Sequence, residues 1–366
     1  MSDTKPETYR IATIEGDGIG PEVARSATEI IAEACGKAKF DFIMADGGAA
    51  HYQKTGDVLP QETAKLCRES HAILHGAAGL PGVVYPDGTE VGNELHLKLR
   101  FDLDLYANVR PIKLLKGVTS PLRAFDGGGI DYVIVRENTE GLYASRGAGV
   151  VLRGEFASDS LVVTRKGTER VARFAFDLAK KRNGALRDKK HRVTVCDKAN
   201  ILRSYAFFRS ICDEVKSEFA DVDIDYAYAD AMTVHLLKKP DFYDVIVAEN
   251  MFGDIISDLG AATVGGMGIS PSGEIGDHHG LFQGAHGSAP DIAGQDAASP
   301  VAAVLSAVMM LRWLSDRYDD ESLAADAARI EHAVESVLSA GDHVPADLGG
   351  SARCSEMTKA IHKALN

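Results

Sequence analysis

The chain has 366 residues, 45% hydrophobic and 25% charged, enough to bury one large core or two of ordinary size. Its 40 basic and 53 acidic residues leave a net charge of −13, which argues against a nucleic-acid partner or an anionic membrane surface. A small anionic substrate remains compatible, because a few arginines in a cleft reverse the field locally.

The amino terminus, MSDTKPETYR, is polar and lacks the apolar core of a signal peptide. The longest apolar stretch, 301–311, is interrupted by Ser306 and is too short to span a bilayer. Five scattered cysteines show neither zinc-ligand nor redox spacing, so a reducing cytoplasm with free thiols is expected.

In chain order, 9–14 reads as a strand and 21–35 as an amphipathic helix with Pro21 in its first turn. Short apolar runs follow at 40–45 and 72–75. Residues 132–135 are β-branched and apolar, as buried strands are. The spacing predicts a helix over 168–181, strands over 191–195 and 243–248, and helices over 300–313 and 330–338. This alternation predicts α/β architecture with largely parallel pairing. Gly/Pro-rich segments at 76–92, 127–129 and 265–280 read as cleft loops rather than linkers.

Five groups of residues carry candidate chemistry. The loop Glu15–Glu22, reading EGDGIGPE, joins a strand to a helix but lacks the last glycine of a Rossmann fingerprint. Arg100, Arg110 and Arg136 stand near strand ends, and a planar guanidinium matches carboxylates bidentately. Lys198 follows a strand directly and suits a proton acceptor if its pKa falls, although most lysines are surface residues. Asp254 and Asp258, four apart after the strand 243–248, place two carboxylates on one helix face. A bare pair of this spacing is more often a solvated acidic face. Its position after a buried strand favours Mg2+ or Mn2+, which take all-oxygen ligands. In the loop 286–294, Asp291 suits a ribose diol and would repel a 2′-phosphate, which predicts NAD over NADP.

Taken in order, GDGIGPE, LDLYANVRP, VRENTEGLY, DKAN, NMFGDIISD and HGSAPDIAG make the chain resemble the isocitrate/isopropylmalate dehydrogenase family of β-decarboxylating dehydrogenases from end to end. The resemblance implies a non-Rossmann, isopropylmalate dehydrogenase-like α/β fold with a cleft between two domains. One domain would comprise 1–105 and 265–366, on the cofactor side. The other, 106–264, would form a homodimer interface. It implies that Arg100, Arg110 and Arg136 bind the carboxylates of a malate. Tyr143 would protonate C3, and Lys198 of the partner subunit would help remove the C2 hydroxyl proton. Asp254, Asp258 and Asp230 of the partner subunit would hold the metal. His286, Gly287, Ser288, Ala289 and Asp291 would hold the adenosine of NAD.

The segment 93–100 would face the C3 substituent. Leu97 suits an isopropyl group, whereas His96 takes a leucine's place, Asn93 replaces a glutamate, and Glu94 would repel a third carboxylate. Phe282–His286, reading FQGAH, departs from the family's FEPVH. The expected activity is NAD- and metal-dependent oxidative decarboxylation of a 3-substituted (R)-malate of 3-isopropylmalate type. A tartrate or another polar malate, isocitrate- or homoisocitrate-like, is the alternative that His96 motivates. A non-catalytic regulatory subunit is a remote third, set against Tyr143, Lys198 and the three aspartates.

Overall fold

The alternation read from the sequence becomes twelve strands and eleven α-helices among the described residues, which are 4–36, 39–92, 94–125 and 129–366 of a computed structural model. Asn93 and Gly127–Gly128 lie outside them. In chain order the elements are β1 (Tyr9–Gly16), α1 (Gly20–Cys35), β2 (Phe40–Ala45), α2 (Ala49–Thr55), α3 (Gln61–Glu69), β3 (Ala72–Ala77) and α4 (Glu94–Asp102). Next come β4 (Ala107–Lys113), β5 (Asp131–Glu137), β6 (Val150–Leu152), β7 (Phe156–Ser158), α5 (Arg165–Lys181), β8 (Arg192–Asp197), α6 (Arg203–Lys216), β9 (Asp223–Tyr228) and α7 (Ala229–Lys238). Then follow β10 (Val245–Ala248), α8 (Asn250–Thr263), β11 (Pro271–Ile275), β12 (Gly280–Gly284), α9 (Val301–Tyr318), α10 (Glu321–Ala340) and α11 (Cys354–Leu365).

The chain divides into two compact units. The first holds 1–105, 115–118 and 265–366; the second holds 106–114 and 119–264.

In the first unit the strand order is β2-β1-β3-β12-β11. β1 pairs in parallel with β2 on one side and β3 on the other, with Ile11 opposite Phe42 and Ala72. Ile11 through Ile14 are all buried, because helices cover both faces and no alternation survives. α1 buries Val23, Ala24, Ala27, Ile30, Ile31 and Ala34, a stripe at helical spacing. Fully burying an isoleucine contributes about 1.5–3 kcal/mol, so Ile30 and Ile31 alone hold this helix firmly. α9 is buried nearly all round because it packs against β11 and β12 as well as α1 and α10. It runs on past the expected end at 313 to Tyr318, closed by Asp319 in the left-handed conformation.

In the second unit the order is β4-β5-β10-β8-β9, parallel except for β4 against β5. β5, β10 and β8 bury almost every residue. α5 begins at Arg165, three residues before the expected start, because Thr164 Oγ1 accepts from Gly167 N at 3.0 Å and caps it. β6 and β7 form a separate two-stranded ribbon. No described helix is long and apolar enough to cross a membrane.

Candidate active site

The carboxyl end of β5 and the start of α8 set the central cluster. Ala248 of β10 lies opposite Arg136 of β5, and α8 starts two residues beyond Ala248. β4 runs antiparallel on the other side of β5, with Asn108 opposite Arg136. Three consecutive strand ends therefore aim side chains at the first turns of one helix.

Arg136, with its side chain only 4% exposed, donates Nε and Nη2 to Asn250 Oδ1 at 2.9 and 2.7 Å and Nη1 to Asp254 Oδ1. Arg110 donates Nη1 to Ser257 Oγ at 2.8 Å and to Asp258 Oδ1 at 3.2 Å, and its Nη2 lies 3.4 Å from Asp254 Oδ1. The Tyr143 hydroxyl donates to Asp254 Oδ2 at 3.2 Å, and the Arg136 guanidinium lies 5.4 Å from the centre of the tyrosine ring. Arg110, Arg136, Tyr143, Asp254 and Asp258 thus come together within the second unit. Burial raises the Asp258 carboxyl above the usual range; Arg110 works against this and Asp254 adds to it.

Lys198 and Asp230 form a second group in the same unit. Lys198 follows the buried end of β8, and Asp230 sits in the first turn of α7. Lys198 Nζ donates to Asp230 Oδ1 at 2.6 Å, and this bond lowers the Asp230 pKa. Asp230 is 72% exposed and so open to another molecule.

In the first unit, α4 carries His96, Leu97 and Arg100. Arg100 is buried in a bidentate pair with Glu274, Nε to Oε2 at 3.2 Å and Nη2 to Oε1 at 2.7 Å. Leu97 is 8% exposed. His96 Nε2 lies 3.1 Å from His75 Nδ1.

The glycine loop and the 286–291 loop meet backbone to backbone. Ile19 N donates to Ser288 O at 2.8 Å, and Ser288 Oγ donates to Gly79 O. A Cβ on Gly18, whose φ is +59°, would fall 1.9 Å from Ser288 O. The glycines of GDGIG therefore permit close chain contact, and Asp17 accepts from Ala49 N, Ala50 N and Gly79 N, each at 2.8 Å. Gly18→Ala is expected to destabilise the protein by at least about 2 kcal/mol, from left-handed strain plus steric clash, read in a urea titration. His286 Nδ1 lies 3.0 Å from Gly287 O, and burial lowers its pKa. Ala289 has a φ of +37°, and Asp291 is exposed.

The sequence reading assigned no role to Asn250, Ser257, Glu274 or His75. Asn250 and Ser257 lie in the stretch NMFGDIISD, but hydrogen-bond partners of arginines far away in sequence leave no mark on spacing. Gly253 was equally silent: a Cβ there would fall 2.7 Å from Arg136 Cβ and Cγ, so only glycine lets α8 approach β5 at this point.

The donor set suits a hard divalent cation: two carboxylates one helical turn apart, the second destabilised as an anion by burial. Among the described residues, the one group of three potential metal ligands within reach of each other is Glu22, Asp296 and Cys354. Asp254 and Asp258 thus have no third such ligand beside them.

Residues 10–361 match the isocitrate/isopropylmalate dehydrogenase family. The chain is 44% identical over 358 residues to the 3-isopropylmalate/3-methylmalate dehydrogenase of Methanocaldococcus jannaschii, covering 98% of this chain and 99% of that one. It is 43% identical over 331 residues to the 3-isopropylmalate dehydrogenase of Corynebacterium efficiens, covering 89% and 92%. The crystal structure of isocitrate dehydrogenase from Methylococcus capsulatus superposes with a TM-score of 0.85 at 34% identity, covering 98% and 99%. The chain therefore belongs to the isocitrate/isopropylmalate dehydrogenase family and is an oxidative decarboxylating dehydrogenase.

Proposed function

We propose that this enzyme oxidises and decarboxylates a 3-substituted (R)-malate of 3-isopropylmalate type, using NAD and Mg2+ or Mn2+. The observation that carries this reading is the convergence of Arg110, Arg136 and Tyr143 on Asp254 and Asp258. Two guanidiniums beside two carboxylates suit a substrate whose own carboxylates bind cations, and the names of the relatives point the same way. When bound, the metal supplies a Lewis acid and NAD a hydride acceptor.

The chain's own residues divide the remaining work. Arg110 and Arg136 orient the malate carboxylates and offset their charge. Lys198 of the partner subunit takes the C2 hydroxyl proton during oxidation. The Tyr143 hydroxyl returns a proton to C3 after carbon dioxide leaves. Asp254 and Asp258 hold the cation with Asp230 of the partner subunit. A homodimer with shared sites follows from this assignment.

The exposed Asp291 supports NAD over NADP. Asp291→Lys is expected to shift the ratio of kcat/KM values towards NADP by about tenfold or more, the worth of one repulsive contact turned attractive. An unchanged ratio would move the ribose site elsewhere.

A second reading, a tartrate or other polar malate, is favoured by His96, a polar group on the helix expected to face the C3 substituent. The deciding test is NADH formation by the pure protein with Mn2+ and NAD, across isopropylmalate, isocitrate, homoisocitrate, malate and tartrate. Preference for isopropylmalate supports the first reading, and preference for a polar acid supports the second. Turnover of none would sink both substrate readings.

A further inference from the structure

In the second unit an arginine of α6 spans the carboxyl ends of β8 and β9. These strands run parallel, with Asp197 opposite Tyr228 at their last residues. Arg209 donates Nε to Asp197 Oδ2 and Nη2 to Asp197 Oδ1, each at 2.7 Å. Its guanidinium carbon lies 4.9 Å from the centre of the Tyr226 ring and 5.3 Å from that of Tyr228, within cation–π range. One turn further along α6, Asp213 accepts from the Tyr226 hydroxyl, so the same helix face holds β9 at a second point.

Those strand ends carry the pair Lys198 and Asp230. Lys198 follows Asp197 directly, and Asp230 stands two residues beyond Tyr228, in the first turn of α7. Asp197 is fully buried, and its Oδ1 also accepts from Ala199 N at 2.9 Å, so this carboxylate ties the backbone on either side of Lys198. Lys198 O accepts from Ile201 N and Leu202 N, each at 3.1 Å, which closes the turn. The stem of a lysine is flexible, so the place of Nζ depends on the backbone beneath it. A buried carboxylate stripped of its cation is costly and would pull this turn towards water. A lysine at 209 would keep the charge, but not a pair of parallel bonds together with a flat face for the tyrosine rings.

We propose that Arg209 is a positioning residue: through Asp197 and Tyr228 it sets the Nζ of Lys198 and the carboxylate of Asp230 where the reaction uses them. The proposal rests on the reading above, in which this pair serves the active site of the other subunit. Arg209 therefore acts across the dimer, and not on the Arg110, Arg136 and Tyr143 of its own chain. At saturating Mn2+, Arg209→Gln is expected to lower kcat by about 10- to 100-fold. KM for isopropylmalate should stay within about threefold, because Arg110 and Arg136 still hold the carboxylates. Calorimetry should show Mn2+ binding weakened by about tenfold, since a displaced Asp230 is a poorer ligand. Arg209→Lys should lose about tenfold in kcat, the share owed to the fork and not to the charge.

The test uses mixed dimers of the full-length enzyme, made by co-expressing differently tagged chains, with Arg209→Gln in one subunit and Tyr143→Phe in the other. The site built on the Arg209→Gln subunit keeps its Tyr143 and receives Lys198 and Asp230 from a subunit whose Arg209 is intact. The mixed dimer should recover about half of the wild-type kcat, while each homodimer stays low. Damage confined to the chain that carries Arg209→Gln would leave that site impaired, so a mixed dimer no better than the Arg209→Gln homodimer overturns the proposal. Lys198→Ala mixed with Tyr143→Phe is the control, and a control that recovers nothing overturns the shared-site reading. Arg209 is then judged within one chain: Arg209→Gln/Lys198→Ala no slower than Lys198→Ala supports the proposal, and a further drop overturns it. A lowered kcat with unchanged Mn2+ binding overturns the part of Arg209 in placing Asp230. Should Arg209→Gln not fold, Arg209→Lys replaces it in every arm. Isopropylmalate without turnover overturns the substrate reading, and calorimetry then decides, with unchanged Mn2+ binding overturning the proposal.

Discussion

Asp254→Asn is expected to lower kcat by about 10²- to 10³-fold, equivalent to roughly 3–4 kcal/mol of transition-state stabilisation. Asp254 touches Arg136, Arg110 and Tyr143 at once. Asparagine keeps its shape but removes the negative charge. Both guanidiniums then lose a countercharge, the tyrosine hydroxyl loses its carboxylate acceptor, and the proposed cation loses a ligand. The fold should survive, because Asn250 still accepts two N–H bonds from Arg136 and Asp254 is 34% exposed. The stability loss should stay within about 1–3 kcal/mol. Steady-state kinetics with saturating Mn2+, calorimetric Mn2+ titration and a urea melt separate these effects. A variant with normal kcat and weakened cation binding would limit Asp254 to metal affinity. Normal values of both would remove it from the site.

The second large effect is expected at a residue with no side chain. Gly253→Ala places a methyl group 2.7 Å from Arg136 Cβ and Cγ and 3.1 Å from its Cα. These atoms lie next to the strand backbone and cannot swing aside. Either α8 moves away from β5, or Arg136 rotates off Asn250 and Asp254. Overpacking of this kind costs about 1–3 kcal/mol. Displacing Arg136 by about 1 Å should also cost about 10²-fold in kcat, since orientation at the reacting centre is steeply distance-dependent. The combination distinguishes this glycine from one needed for folding alone. A destabilised variant with normal kcat would mean that α8 yields and the arginine stays in place.

Much of the architecture was legible because burial in a parallel sheet leaves unbroken apolar runs. β1, β2 and β3, β5 and β10 all began where such runs begin or within one or two residues of it. α1 announced itself through its stripe of buried residues and Pro21. Other elements left weaker traces. β4 carries Pro111, which removes a donor, and it pairs antiparallel with β5 where parallel pairing was the general expectation. α2 is too short, at seven residues, to show a period, and Asp17 holds its start from 32 residues away. α4 has almost no apolar stripe, because Leu95, Leu97, Leu99 and Arg100 are buried around much of its circumference.

The sequence by itself determined the α/β class, the net negative charge, the family and the identity of the residues that converge on Asp254. Periodicity and turn chemistry are short-range and suffice for the class, while the family and the converging residues came through the resemblance of whole motifs. Only the tertiary structure decided which of those groups meet. It paired Arg100 with Glu274, Lys198 with Asp230, and His96 with His75 and Gln283. It also showed that the GDGIG glycines serve close backbone contact with Ser288. Hydrogen bonds form between neighbours in space across strands and helices remote in the chain, and no local pattern of residues encodes a partner that folding alone brings near.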